Sequence, residues 1–288
     1  MAEGNSKKSS TPNKKSEKSQ RKSSEREVNE ELETEYFLES GDESDEDKAT
    51  KTNNLKSYVS VKGIAYNLAQ AKINALKMLE DRGYQLDDID INITKMEPDE
   101  LSKKLRYLEI NKTYQHKTED KILHLEFLFS GDNATLNKPI IQKLLAPLNK
   151  KNIKALVIIG DAPLGAKAIE KLLERNGIAS SWFIQFFRLD ELLYRAIDHG
   201  WCPKYIKLTD EEKINLRRND GISLGNLPLM RYADLSDLKA EKDKDKFFID
   251  PVCKYYGFRP DDVVKEIGVN TALNFLCPVY LLYRRVAR

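Results

Sequence analysis

The run Ala155-Leu156-Val157-Ile158-Ile159 constrains the fold of this chain more than any other segment. A strand without a single polar position has both faces covered, as in a parallel sheet flanked by helices. Upstream, Lys121–Phe129 contains the strand-like sequence Leu123-His124-Leu125-Glu126-Phe127-Leu128. Between the two lies a helix candidate, Pro139 to Lys150, with Ile140, Ile141, Leu144, Leu145 and Leu148 inward and Pro147 bending or shortening it. Strand, helix and buried strand make a β-α-β unit with a right-handed crossover. A helix over Leu164–Glu174, a strand over Trp182–Phe187 and a helix over Leu189–Ile197 extend it. Ahead of the unit, Tyr58, Val61, Ile64, Ala65, Leu68, Ala75, Leu76 and Leu79 recur at three- and four-residue steps, one apolar stripe that Gly83 terminates.

Length and charge bound the rest. With 288 residues the chain holds two domains, or one and a long tail. Apolar residues make up 40%, enough for a core, but no run approaches the roughly 18 that a spanning helix needs, so no membrane is expected. The first 26 residues lack the apolar stretch of a secretory signal. Three scattered cysteines, Cys202, Cys253 and Cys277, suggest neither a disulfide framework nor a zinc ribbon. A net charge of +2 argues against gripping nucleic acid by bulk charge, so any contact is local. The charge is segregated at the N-terminus, where residues 1–26 carry eight Lys/Arg and residues 27–47 carry eleven acids without one base. Residues 1–54 therefore read as a disordered charged tail. Lys14-Lys15 with Arg21-Lys22 suits nuclear import, and Ser40 and Ser44, each followed by acids, suit a kinase.

Catalytic signals are thin. Gly160-Asp161-Ala162-Pro163-Leu164-Gly165-Ala166-Lys167 resembles a phosphate loop, yet its lysine falls one position late and Ala166 and Ala168 offer no hydroxyl for Mg²⁺. What survives is a helix N-terminus beside Lys167, suited to one backbone phosphate. His116, His124 and His199 lack metal-ligand spacing, and His124 in its apolar strand reads as a hydrogen-bonded structural residue. A Mg²⁺-dependent nuclease would need acids on adjacent strands. Glu126 is one, but Ala155–Ile159 has none, so no catalytic residue, metal site or cofactor is assigned.

The last 88 residues are strongly patterned. Pro203–Leu208 alternates like a strand, and Thr209-Asp210-Glu211-Glu212 forms a capping box for a helix reaching Arg217 or Arg218. Asp250-Pro251 starts a short helix that Gly257 closes, and Val263-Val264 and Val279–Tyr283 supply strands.

These residues resemble a family. His199-Gly200-Trp201-Cys202-Pro203-Lys204-Tyr205, Leu208–Lys213, Leu227-Pro228, Asp250–Gly257, Val263-Val264-Lys265 and Tyr283-Arg284-Arg285-Val286 look, in this order, like the C-terminal module of the common subunit five of eukaryotic RNA polymerases, a module that archaeal polymerases carry as a small separate chain. Leu79-Glu80-Asp81-Arg82-Gly83-Tyr84 resembles the family's "DRGY" element. The resemblance covers about residues 58–288 and departs at the 21 residues 229–249, taken as a surface loop, and at Val269–Asn274, which keeps only Thr271-Ala272.

The resemblance implies an α+β chain: a jaw domain over 55–200 with a mostly parallel, restriction-endonuclease-like sheet, then a small α/β assembly domain over 201–288. It implies a non-catalytic subunit that docks on the largest polymerase subunit and lies beside downstream duplex DNA in the nucleus, or in a viral factory or virion if a virus encodes it. The DNA-proximal residues would be Pro163, Leu164, Ala166 and Lys167. The subunit interface would include His199, Pro203, Lys204, Asp250, Pro251, Tyr255, Tyr256, Gly257, Tyr283 and Arg284, with Trp201 and Cys202 packed where the domains join. A stand-alone nuclease and a free adaptor that borrows the module are the competing readings.

Overall fold

The computed structural model describes residues 62–131, 133–150, 153, 155–176, 182–232, 235, 238, 250–269 and 279–287. The tail with Ser40 and Ser44, Tyr58, Val61 and Thr271-Ala272 lie outside them. Within Ala49–Arg288, which forms one unit, the described residues build two mixed sheets with helices, an α+β arrangement.

The first sheet is ordered β1 (Lys112–Gln115), β2 (Ile122–Leu128), β3 (Ala155–Gly160), β4 (Phe183–Arg188). Strands β2, β3 and β4 run parallel, with Leu123 opposite Ala155 and Ala155 opposite Phe183, while β1 adds an antiparallel edge. Every residue of β3 is buried, and its side chains alternate between two cores. Ala155, Val157 and Ile159 face helix α1 (Lys62–Asp81); Leu156 and Ile158 face helices α4 (Lys138–Lys150) and α5 (Ala166–Leu173). The apolar run is thus what a strand between two helical layers requires.

Helix α1 differs from the single stripe its periodicity implies. Nearly its whole circumference is buried, because α2 (Asp88–Lys95) and α3 (Pro98–Lys104), which the apolar pattern does not reveal, cover its outer side with Ile93 and Leu101. Two polar residues are buried with it, and each finds a peptide carbonyl. Lys72 Nζ donates to Ile110 O at 2.9 Å, and Asn74 Nδ2 donates to Leu192 O at 2.7 Å. The second bond helps explain a correction. Leu189–Ile197, expected to be an α-helix, consists of 3₁₀ turns at Leu189–Leu192 and Ala196–Asp198. Asn74 takes the Leu192 and Leu193 carbonyls, which a continuing helix would need for itself.

The second sheet is ordered β5 (Lys204–Lys207), β7 (Val263–Val269), β8 (Val279–Ala287), β6 (Leu229–Arg231), antiparallel except for the β6/β8 pair. Helix α6 (Asp210–Arg218) begins at the expected capping box of Thr209 and Glu212. Helix α7 (Pro251–Tyr256) is capped by Asp250, whose Oδ1 accepts from Val252 N at 2.9 Å and Cys253 N at 3.0 Å. The surface-loop reading of 229–249 fails at its start: β6 is a sheet strand, and Met230, Tyr232 and Leu235 are buried.

Two substitutions test this packing. Burial lowers the Lys72 ammonium from 10.5 to about 8, so from pH 8 to 10.5 the unfolded chain binds a proton that the native chain has released. Native stability therefore gains from Lys72 as pH rises through that window, and the cost of the buried charge is complete below it. Denaturant titrations should show wild type improving relative to Lys72→Met between pH 8 and 10, whereas a constant difference would contradict a buried ammonium. Gly257 has φ +66°, and a Cβ there would sit 3.2 Å from Arg82 Cζ and Phe183 Cζ. Gly257→Ala should lower the unfolding free energy by about 1–2 kcal/mol or more, read from the denaturant midpoint.

Candidate nucleic-acid and subunit interfaces

The start of α5 is placed by backbone bonds. Leu136 N donates to Pro163 O at 2.9 Å and Gly165 N donates to Leu136 O at 3.0 Å, a short parallel bridge that sets the starts of α4 and α5 side by side. Asp161, half-buried with its carboxyl pushed up by burial, ties the loop to the end of β2 by accepting from Ser130 N at 2.8 Å and Ser130 Oγ at 3.0 Å. Gly160 is required by packing rather than phosphate, since a Cβ would lie 2.6 Å from Leu136 Cδ1 and 2.8 Å from Phe186 Cε2. Gly165 caps α5 without a side chain, so the N–H groups of Ala166 and Lys167 have no acceptor among the described residues. Asn137, Lys138, Pro139 and Gly165 to Ala168 line an open depression of about 410 Å³ there.

Of the four residues assigned to DNA, Ala166 and Lys167 are exposed and Pro163 is half-buried. Leu164 is buried in the α4–α5 core and offers no side chain to a partner. Lys138, from the neighbouring helix start, is exposed beside the same depression and was not legible as part of the site. Its signal lies only in the strand–helix topology, which brings successive helix starts to one sheet edge.

The nuclease reading finds no support. His124 Nε2 lies 2.9 Å from Glu126 Oε2, and His124 Nδ1 lies 3.0 Å from Thr113 Oγ1, so the strand histidine is hydrogen-bonded on both sides. No group of three potential metal ligands occurs among the described residues.

The proposed subunit-interface residues divide into two sets. His199, Lys204 and Pro251 are exposed, and Pro203 is half-buried. The others serve contacts within the chain. Asp250 caps α7, Tyr255 is buried, and Tyr256 stacks on Phe258 at 5.2 Å. Tyr283 packs on the Leu208, Leu216 and Val263 cluster beneath α6. Arg284 donates Nε to the buried Glu266 Oε2 at 2.6 Å. Trp201 does not pack at the join of the two modules; it is 82% exposed.

A surface that no motif marked lies on the second sheet. Register puts Ile206, Lys265, Ile267, Leu281, Tyr283, Arg285 and Leu229 on one face. Helix α6 covers the Val263–Tyr283 end, leaving Ile206 (37%), Leu281 (49%), Val279 (53%) and Leu229 (58%) exposed. Their two-residue alternation is visible in β8, but which face stays open depends on where α6 lies.

No protein-family model matches the chain. Curated relatives do. It is 21% identical over 206 residues to DNA-directed RNA polymerases I, II, and III subunit RPABC1 of Caenorhabditis elegans, covering 70% of this chain and 89% of that protein. It is 25% identical over 203 residues to DNA-directed RNA polymerase V subunit 5A of Arabidopsis thaliana, covering 68% and 78%. Subunit 5B of polymerases IV and V of the same plant matches at 23% over 197 residues, covering 68% and 80%. Low in identity but consistent in extent, these matches show a weak, consistent similarity to subunit five of the eukaryotic DNA-directed RNA polymerases.

Proposed function

We propose that the chain is a non-catalytic subunit of a multisubunit DNA-dependent RNA polymerase, docked on the largest subunit through its second sheet and reaching downstream duplex DNA from the start of α5. The observation that carries this reading is the match over 78–89% of the length of polymerase subunits. The two surfaces suit the two tasks. The open apolar face of Ile206, Leu229, Val279 and Leu281 is what a permanently bound protein partner covers. His199, Lys204 and Pro251 are exposed and Pro203 is half-buried on the same module, within reach of a partner. The first sheet and its helices serve as the jaw, of restriction-endonuclease-like type, and the paired helix starts with Lys138 and Lys167 meet a phosphate backbone without reading bases.

Such a subunit works in the nucleus, and relatives from a nematode and a plant give no support to a virus-encoded origin. The Lys14-Lys15 and Arg21-Lys22 patch would serve entry. Phosphodiester synthesis resides in partner chains, and the protein itself needs no metal or cofactor for this role.

A tagged chain recovered from cells should bring down both largest polymerase subunits in stoichiometric amount. Their absence would leave the free adaptor instead. Leu229→Asp with Leu281→Asp should cut that recovery at least about tenfold, since charge on a covered apolar face costs more than 1.4 kcal/mol. Lys138→Ala with Lys167→Ala should leave assembly intact but lower the salt dependence of downstream DNA binding by about one to two counterions. Loss of assembly in the lysine pair would contradict the role given to this loop.

A further inference from the structure

Helix α7 has six residues, far too few to persist by its own hydrogen bonds. Its start is capped from within, by Asp250. Its end is held partly from within, where Gly257 N donates to Lys254 O at 3.2 Å and Phe258 N to Cys253 O at 3.2 Å, a Schellman arrangement. The other module supplies a donor to Tyr255 O and further donors to Lys254 O. Arg82 Nε donates to Tyr255 O at 2.7 Å and Nη2 to Lys254 O at 2.9 Å. Gln185 Nε2 from β4 adds a bond to Lys254 O at 3.3 Å.

Arg82 is an unusual cap. No carboxylate pairs with it among the described residues, its Nη1 is buried without an acceptor there, and burial draws its guanidinium down to about 10. What offsets a buried cation here is the negative end of α7, with the Phe187 ring 6.0 Å away. The dependence therefore runs both ways: Tyr255 O lacks its donor without Arg82, and Arg82 lacks its compensation without α7.

The flanking residues hold the geometry. Asp81 Oδ2 accepts from Tyr255 Oη at 2.6 Å and from Arg195 Nη2 at 2.8 Å, and Arg195 Nε reaches Tyr255 Oη at 3.1 Å. Gly83 turns at φ +86°, where a Cβ would meet His116 Nε2 at 2.8 Å. His116 Nε2 lies 3.1 Å from Arg82 O, and Tyr84 packs edge-on against the same imidazole at 5.2 Å.

We infer that Asp81-Arg82-Gly83-Tyr84 is a coupling element that ties the local stability of α7 in the second module to the first. Arg82 is a positioning residue for this coupling. The core cluster of Cys253, Phe258, Val264 and Val286 then packs on a helix whose end the first module clamps. This coupling holds whatever the second module docks on.

Amide hydrogen exchange on the full chain tests it. In Arg82→Ala the amides of residues 252–258 should exchange at least about tenfold faster, while those of β2 and β3 keep their protection. Arg82→Lys should recover only part of it, because an ammonium cannot fork across two carbonyls. Tyr255→Phe, which leaves the Arg82 bonds in place, should accelerate the same amides to a smaller degree and carries the test if Arg82→Ala does not fold. Unchanged exchange over 252–258 in the variants that fold, or an equal rise across both modules, would overturn the coupling.

Discussion

Arg82 sits between β4 and helix α7, and the arrangement around it follows from the difficulty of burying a cation. A guanidinium withdrawn from water needs either an opposite charge or several acceptors with a favourable field. No carboxylate pairs with Arg82 among the described residues, and its fork is turned onto the closing carbonyls of α7. Those carbonyls need donors as much as the cation needs acceptors, so two unfavourable burials are relieved by one contact. The same contact lays α7 against β4, where Lys254 lies 4.6 Å from the Phe187 ring and Arg259 4.6 Å from the Phe183 ring. Phe183, Gln185 and Phe187 lie on one face of β4, and a helix from the neighbouring module packs on that face.

Helix α1 repeats this logic inside the first module. Surrounded by apolar neighbours, it has no solvent for its polar side chains, and Lys72 and Asn74 each extend to a carbonyl in an irregular segment. The bonds organise the loop before β1 and the turns after β4, so two connections are shaped by side chains on a helix distant in sequence. Buried polar groups of this kind add little net stability but penalise any arrangement that leaves them unpaired.

The residues that invited a catalytic or ligand-binding reading are engaged within the chain. The glycine of the phosphate-loop look-alike is used to bring β3 against Leu136 and Phe186, the strand histidine is saturated by hydrogen bonds, and Arg284 is engaged with Glu266. What remains open is a row of aliphatic side chains on one sheet face and a pair of helix starts with lysines. In the proposed function a protein partner covers the first and a phosphate backbone meets the second.

Patterns of short range were legible along the chain. The two-face burial of β3, the capping box at Thr209, the Asp250-Pro251 start and Gly257 stop of α7, and the βαβ order all rest on contacts within a few residues or on strand periodicity. The family motif containing Arg82 was legible as a resemblance, but nothing in its four letters says that the arginine reaches residues 254 and 255. The antiparallel edge β1, the strand β6 within a stretch read as loop, the 3₁₀ turns after β4 and the exposure of Trp201 were equally hidden. Each depends on a partner in another element or on which face a distant helix covers. Local backbone preference and periodicity are written in neighbouring residues; the pairing of buried polar groups across the chain becomes visible only once the chain has folded.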